Sequence, residues 1–406
     1  MKVMHITTVD LSLRFLVRPQ LLSIVHMGGQ AVGVSAPGPW VDELTADGIR
    51  HVALHASTRG AAPLQDLRAA GQFWRVLRSE RPDVLHTHNP KPGLYGRLLG
   101  WLARVPIVVN TVHGLYATPD DPLIKRGLVY SIEALASRFS DAELVQSAED
   151  LALLKRWRIV PRGKARLLGN GVDLRRFDPD RSDGRTRDRL RREFGIADDQ
   201  IVVGIVGRLV EEKGFLELFA AAASLDPRYV VVVVGPADDA KGDALTSEVI
   251  SRARAGGVRF LGMRTDVDEL YRAMDIFVLP SHREGFPRSA MEAAAMGLPV
   301  IASDIRGCRE VVEHGFNGLL IPVRDAEALA AAIRNLGEDH AARTRMGAAG
   351  RQKARLSFDE DQIVSIVVDT YRRVAQRKGL LQLVADLGGA GPDIPGPDIP
   401  GERRSS

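Results

Sequence analysis

The chain has 406 residues, of which 45% are hydrophobic and 26% charged, with a formal net charge of +4. It is too long for one hydrophobic core and ordinary in composition, so two domains are expected and wholesale disorder or a membrane channel is excluded. The one cysteine, Cys308, can form neither an internal disulfide nor a thiolate metal cluster, which points to a reducing compartment.

Residues 1–8 form a short apolar run that Asp10 and Arg14 break before a secretion signal can develop. No apolar stretch nears the roughly 20 residues of a membrane helix, so a cytoplasmic protein is expected. Short apolar runs then alternate with helix-length amphipathic segments, the pattern of parallel α/β units. Strands are predicted at 2–7, 30–35, 51–55, 83–88, 107–111 and 142–146, with helices between them. Residues 169–185 are rich in Gly, Asp, Pro and Arg and lack periodicity, which marks a domain boundary. The alternation restarts with strands at 201–207, 229–235, 258–261, 275–279 and 299–302, and helices are expected at 325–336 and 357–378. The strand cores are runs of Val and Ile, as in sheets covered by helices on both faces. A repeated Gly-Pro-Asp-Ile-Pro near the end suggests disorder. The expected organisation is a first Rossmann-like domain at 1–175, a linker at 176–195, a second Rossmann-like domain at 196–356, a helix at 357–380 and a disordered tail at 381–406.

Charge is uneven along the chain. Residues 1–180 hold 23 Lys and Arg against 17 Asp and Glu, and residues 155–176 hold eight basic residues and one acid, Asp173. Trp40, Trp74, Trp101 and Trp157 fall in the same half. Basic residues among aromatics suit an anionic bilayer surface, although solvated helix faces and buried rings explain the same composition.

The strongest local signal runs from Leu279 to Ala293. A strand ends at Pro280, a polar loop follows, and Pro287 suits a first helical position, because its missing N–H would be unpaired there anyway. The next amides point into the loop and make an anion site suited to a diphosphate. Glu284 precedes this helix and Glu292 lies inside it, and two such carboxylates can accept hydrogen bonds from vicinal sugar hydroxyls. Taken singly, Glu284 also reads as a solvated loop acid and Glu292 as a helix-surface acid. In Val206-Gly207-Arg208-Leu209-Val210-Glu211-Glu212-Lys213-Gly214, a strand, turn and helix bring Arg208 and Lys213 to the carboxyl end of a sheet, where ligands bind. Two cations there would stabilise a departing diphosphate.

Asp266-Val267-Asp268 has the spelling of a Mn²⁺ motif, but it opens a helix, where acids cap the first turn and complement the dipole. His86 and His88 alternate on a strand without an evident third ligand, so no metal is expected. A polar acceptor subsite of His88, Asn89 and Lys91 is the preferred alternative. His113, in Asn110-Thr111-Val112-His113-Gly114, sits at a strand's carboxyl end, where a neutral imidazole can hydrogen-bond a sugar hydroxyl.

These motifs resemble the retaining glycosyltransferases of family 4, which have the GT-B fold. The resemblance rests on Ser281, Glu284, Gly285, Phe286, Glu292 and Ala293, with the later Gly297, Pro299 and Val300, and on Gly207-Arg208-Leu209 with Lys213-Gly214. It implies two doubly wound domains facing across a cleft, with the C-terminal helix packing back toward the first. It also implies a donor site of Gly207, Arg208, Lys213, Glu284, Gly285, Phe286, Pro287, Arg288, Ser289 and Glu292, in which Glu292 holds the ribose and Glu284 the sugar hydroxyls. Arg208 and Lys213 would meet the phosphates, and His113, Arg208, Lys213 and Glu284 would serve catalysis, with no metal or other cofactor. The stretch 86–93 and Thr111-Val112-His113-Gly114-Leu115-Tyr116 look like the branch that extends diphospholipid-linked sugars. The expected reaction is therefore transfer of a hexose-type sugar from a nucleotide diphosphate sugar, most simply a UDP-sugar, to a lipid-linked glycan such as an undecaprenyl-diphosphate-linked one. The expected mechanism is front-side displacement. A peripheral contact with the inner membrane face through residues 155–176 goes with it, and no nucleic acid partner is expected. A sugar-nucleotide 2-epimerase, a transferase with a soluble acceptor and a scaffold that has lost catalysis are the alternatives. One departure stands out: the Gly-Gly pair usual after the first strand is replaced by Thr7-Thr8-Val9-Asp10-Leu11-Ser12-Leu13-Arg14, where Arg14 offers a positive charge instead.

Overall fold

Runs such as Ile201–Val206 and Tyr229–Val234 hold β-branched residues on both faces of a strand, so each strand needs cover on two sides. A computed structural model shows how that cover is supplied; it describes residues 1–388 apart from 59, 61, 89, 118–120, 182, 183 and 238–241. The chain divides into two units, Met1–Gly169 together with the segment from Asp361 onward, and Asn170–Glu360.

In the first unit the strands are β1 (Lys2–Val9), β2 (Gln30–Ala36), β3 (Arg50–Ala53), β4 (Val84–His88), β5 (Ile107–Val112), β6 (Ala142–Val145) and β7 (Ala165–Leu167). They form one sheet in the order β3-β2-β1-β4-β5-β6-β7, with parallel pairings throughout. Alternation along β1 sends Val3 to one face and Met4 and Ile6 to the other. The Val3 face is covered by the helix Glu360–Arg377, whose Ile363, Ile366, Val367, Tyr371 and Val374 join the same core. In register, His5 stands beside His86 and His88 beside Thr111, so this covered face carries polar side chains as well.

In the second unit the strands are β8 (Ile201–Val206), β9 (Tyr229–Val234), β10 (Arg259–Phe260), β11 (Ile276–Leu279), β12 (Val300–Ser303) and β13 (Gly318–Ile321). Their order is β10-β9-β8-β11-β12-β13, again parallel. Val202 and Phe277 face one core while Val203, Ile276 and Val278 face the other. In each sheet the winding reverses at the first strand, so the carboxyl ends of β1 and β4, and of β8 and β11, flank a switch point where open α/β sheets bind ligands.

Several expectations change. The presumed linker 176–195 belongs to the second unit: it contains the helix Arg185–Glu193, and Phe177, Leu190 and Arg191 are buried. The first unit ends at Gly169 rather than 175. Strands β7 and β13 escape prediction because each is short and lacks a β-branched run. The helix expected at 357–378 is found as Glu360–Arg377, and it is preceded by a helix that was not expected, His340–Ser357. Residues 381–386, expected in a disordered tail, form the helix Leu381–Asp386, whose Leu383 is buried against the first core; the part of that tail from 389 lies outside the described residues.

Candidate active site

In the second unit the loops after β8 and β11 meet. Lys213 Nζ lies 2.5 Å from Glu284 Oε1, and Ser281 Oγ donates to the same oxygen at 2.8 Å. The His282 amide donates to the Glu212 carbonyl at 2.8 Å, and His282 Nε2 lies 2.9 Å from Glu217 Oε1. Two glycines let these loops approach. Gly214 has φ of +74°, and a Cβ there would fall 2.0 Å from the Pro280 carbonyl oxygen. A Cβ on Gly307 would fall 2.5 Å from the Glu284 carbonyl oxygen, so the loop carrying Glu284 rests on the backbone at Gly307.

Gly214→Ala should therefore force Lys213 and Pro280 apart. A destabilisation of about 1–3 kcal/mol is expected for an alanine held in the left-handed region. Thermal unfolding measures it, and an unchanged midpoint would contradict the close approach.

Glu292 lies on the helix Arg288–Ala295 with 13% of its side chain exposed. Tyr271 Oη lies 3.0 Å from its Oε2 and Arg288 Nε 3.3 Å from its Oε1. Burial raises its pKa above the ordinary glutamate value, against the opposing pull of Arg288 and Tyr271. Pro287 is the residue just before the first helical turn, one place earlier than expected, and the Arg288, Ser289 and Ala290 amides open the helix, the place in a helix where backbone donors bind anions. Phe286 meets Phe358 edge to face with ring centroids 5.9 Å apart, and Asn170 Nδ2 donates to the Phe286 carbonyl at 3.1 Å. Gly207 and the half-buried Arg208 follow β8 directly; Gly235 passes so close that a Cβ on it would meet the Gly207 carbonyl.

In the first unit His113 follows β5, and Gly114 turns the chain with φ of +119°. His113 Nε2 lies 3.1 Å from His88 Nδ1, and its Nδ1 lies 3.2 Å from Gln146 Oε1. Burial lowers its pKa to about 4, with the Gln146 bond pulling the other way, so the ring is neutral at physiological pH.

Comparison with known proteins decides the family. Residues 186–353 match the family described as glycosyl transferases group 1, and residues 24–171 match the glycosyl transferase 4-like domain. A galactosyltransferase of Escherichia coli, named UDP-Gal:alpha-D-GlcNAc-diphosphoundecaprenol alpha-1,3-galactosyltransferase, is 31% identical over 312 residues, 74% of this chain and 78% of the relative. The chain belongs to the family 4, group 1 glycosyltransferases. The D-inositol 3-phosphate glycosyltransferase of Corynebacterium glutamicum is 32% identical over 313 residues, covering 72% of this chain and 73% of the relative. The crystal structure of Anabaena HepE in complex with UDP and glucose superposes with a TM-score of 0.74 over 91% of this chain and 99% of HepE; at 20% identity it establishes the GT-B fold.

In this glycosyltransferase the structure joins Lys213, Glu284 and Ser281 directly and sets Glu292 and Arg288 on one helix, as the motifs imply. Tyr271 and Gly307, which hold the two glutamates, carry no local signal, because each acts across distant parts of the chain. The acceptor subsite expected in the first unit does not form as drawn. His88 is 1% exposed with both ring nitrogens engaged, by His5 at 2.9 Å and by His113. Lys91 turns to Asp66 at 2.6 Å, and Asn89 lies outside the described residues. The stretch replacing Gly-Gly is helical from Asp10, which caps Trp40 N at 2.9 Å, while Arg14 pairs with Glu43 at 2.6 Å. In the Asp-x-Asp sequence, Asp266 pairs with Arg264 at 2.6 Å and Asp268 with Arg176 at 2.8 Å; Asp266 occupies the cap position, but its side chain bonds no helix amide.

Proposed function

We propose that this glycosyltransferase moves a hexose-type sugar from a UDP-sugar, with retention of configuration, to a hydroxyl of a diphospholipid-linked glycan. The observation that carries the donor half is the Lys213–Glu284–Ser281 cluster between β8 and β11, with a helix amino end following in the same loop. Lys213 spends one of its three ammonium donors on Glu284 and keeps two for phosphate oxygens. Glu292 accepts from the ribose, Glu284 from the sugar, and His113 meets a sugar hydroxyl. In a metal-independent front-side displacement the acceptor oxygen bonds to the anomeric carbon as its bond to phosphate breaks. The departing phosphate oxygen takes the acceptor's proton, and Arg208, Lys213 and the helix amides stabilise its charge.

A lipid-linked acceptor is supported by the surface of the first unit. The helix Leu123–Ala136 turns Tyr130 and Ala134 inward and leaves Leu123, Ile124, Leu128 and Leu135 exposed, Ile124 by 88%. The helix Pro90–Leu102 packs beside it through Arg97 and Glu133 at 2.8 Å and exposes Leu94, Leu98, Trp101 and Leu102. Lys155, Arg156, Trp157, Arg158 and Arg162 are exposed around the end of the helix Ala148–Arg156, whose Leu151 and Leu154 share a core with Tyr130 and Ala134, whereas Arg166 pairs with Asp369 and Arg176 with Asp268. The membrane contact is thus centred on the two apolar helix faces, with only the first part of the 155–176 region as its basic rim. An apolar face with a basic rim suits the interface of an anionic bilayer.

The test is consumption of UDP-sugars with and without a membrane lipid extract, followed by mass spectrometry of the lipid-linked products. A soluble acceptor, as in the inositol-phosphate relative, predicts transfer without lipid; an epimerase predicts conversion without any acceptor. Wild-type protein is expected to sediment with phosphatidylglycerol vesicles at low salt, and Ile124→Glu with Leu128→Glu to lose that binding while binding UDP normally. Equal sedimentation of the variant would refute the docking face.

A further inference from the structure

The covered face of the first sheet holds a continuous series of hydrogen bonds that the transfer reaction as drawn does not use. Thr111 Oγ1 lies 2.7 Å from His86 Nε2, and His86 Nδ1 lies 2.6 Å from Tyr371 Oη. Tyr371 Oη lies 3.1 Å from His5 Nε2, and His5 Nδ1 lies 2.9 Å from His88 Nε2. His88 Nδ1 then reaches His113 Nε2, and His113 Nδ1 reaches the Gln146 carbonyl. Every ring uses both nitrogens, and of the four only His113 is part-exposed.

Proton accounting along this path leaves one consistent answer. The Gln146 carbonyl only accepts, so His113 must donate from Nδ1 and accept at Nε2. His88 must then donate from Nδ1, and by the same step so must His5 and His86, with Tyr371 donating to His5 and Thr111 to His86. All six bonds are made with every imidazole neutral and in the same tautomer. A single ring in the opposite tautomer would set two protons, or two lone pairs, against each other in a buried space, at the cost of unsatisfied polar groups. The ends of the series are a threonine hydroxyl and a primary amide, neither of which supplies or takes a proton near neutral pH. The series therefore transmits polarity and does not conduct protons. Reversing it requires every ring to change tautomer and the Gln146 amide to turn over.

A metal is the competing explanation, because nitrogen atoms of His5, His86 and His88 lie within 4.8 Å of one another. Two imidazoles on one tetrahedral zinc stand about 3.3 Å apart, from Zn–N bonds of about 2.0–2.1 Å. The His5–His88 separation of 2.9 Å is shorter, and both nitrogens of His86 face hydroxyl groups. Hydrogen bonds account for every contact, and a metal would have to break some of them. Burial also holds all four pKa values below the ordinary histidine value, that of His5 at about 3, in keeping with neutral rings.

We propose that Thr111, His86, Tyr371, His5, His88, His113 and Gln146 form one polarised wire that presents His113 to ligand as a hydrogen-bond donor at Nδ1, and that Tyr371 is a positioning residue closing the wire from the C-terminal helix. A ligand oxygen replaces Gln146 without disturbing the wire, whereas a ligand group that can only donate would have to reverse it. The ligand-facing part rests on the transferase reading of His113, but the tautomers can be read with no substrate present, so the two can fail separately.

The experiment is nitrogen-15 NMR of the full chain labelled at histidine, with each ring assigned from its own His→Gln variant. The expected result is Nδ1 protonation alone on His5, His86, His88 and His113 at neutral pH. In Tyr371→Phe, His86 loses its partner at Nδ1 while the Thr111 hydroxyl can either donate to or accept from its Nε2, so the His86 signal should become a mixture of tautomers; His5, His88 and His113, still directed by the Gln146 carbonyl, should stay protonated on Nδ1, and circular dichroism should be unchanged. Protonation of any of the four rings on Nε2 in the wild type would overturn the wire, as would stoichiometric Zn²⁺ uptake that removes the Nδ1–H signals. A single, unchanged His86 tautomer in a folded Tyr371→Phe would remove Tyr371 from it. If that variant does not fold, the wild-type tautomers alone decide.

Discussion

Glu292→Ala is expected to weaken binding of the donor nucleotide by about 2–4 kcal/mol, roughly thirtyfold to several hundredfold in Kd. The carboxylate is held by Tyr271 and Arg288 and is mostly buried, so it arrives at the ligand already oriented. Removing it would forfeit the proposed contacts with the ribose hydroxyls, and it also leaves the Tyr271 hydroxyl, in an apolar core, with the Ser289 carbonyl in place of two acceptors. The second loss falls on the free protein, so the effect on binding and the effect on stability must be separated. Calorimetric titration with UDP gives the first and thermal unfolding the second. Unchanged UDP affinity would take Glu292 out of the ribose role, whatever the stability. Tyr271→Phe offers a control, because it removes the support but keeps the carboxylate, and its effect on affinity should be smaller.

Lys213→Ala is expected to lower turnover by about 10²–10³-fold, the scale on which enzymes lose a fixed group that stabilises developing charge. Its effect on donor affinity should be smaller, since the variant keeps the helix amides proposed to meet the diphosphate. Lys213 and Glu284 are both largely buried, with side chains 20% and 10% exposed, so removing the ammonium leaves Glu284 with Ser281 as its remaining partner in that cluster. Lys213→Arg keeps the charge but changes its shape, and should recover only part of the rate. Single-turnover kinetics with saturating donor measures the chemical step. Normal turnover in both Lys213→Ala and Arg208→Ala would end the phosphate assignment.

The cluster proposed here as the donor site is legible in the sequence because its pieces are local. Strand β8 runs into Gly207-Arg208, strand β11 runs into Ser281 and Glu284, and each loop is followed by a helix within a few residues. A parallel sheet then brings the two loops together with no further information, since β8 and β11 are neighbours. The first unit is harder to read. His88 looks like part of an acceptor subsite when β4 is considered alone, but register sets His5 beside His86, and the helix Glu360–Arg377 covers the face that these histidines share. The partner that closes the network, Tyr371, lies 366 positions beyond His5. No window of sequence contains both. The apolar face of Leu123–Ala136 is misleading for the converse reason: its side chains have the spacing of a core helix, and only the fold shows which of them find no core to enter.

The excursion of the chain out of the first unit and back bears on its synthesis. Residues 170–360 form an uninterrupted stretch and can complete their fold as they leave the ribosome, yet the core around Val3, Ile107 and Leu144 lacks Ile366, Tyr371 and Val374 until nearly all of the chain has emerged. The half made first is thus finished last. Until then the nascent polypeptide carries an open sheet face on which His5 and His86 lack their Tyr371 partner, so its most vulnerable interval to aggregation or premature proteolysis is the time taken to translate the second unit.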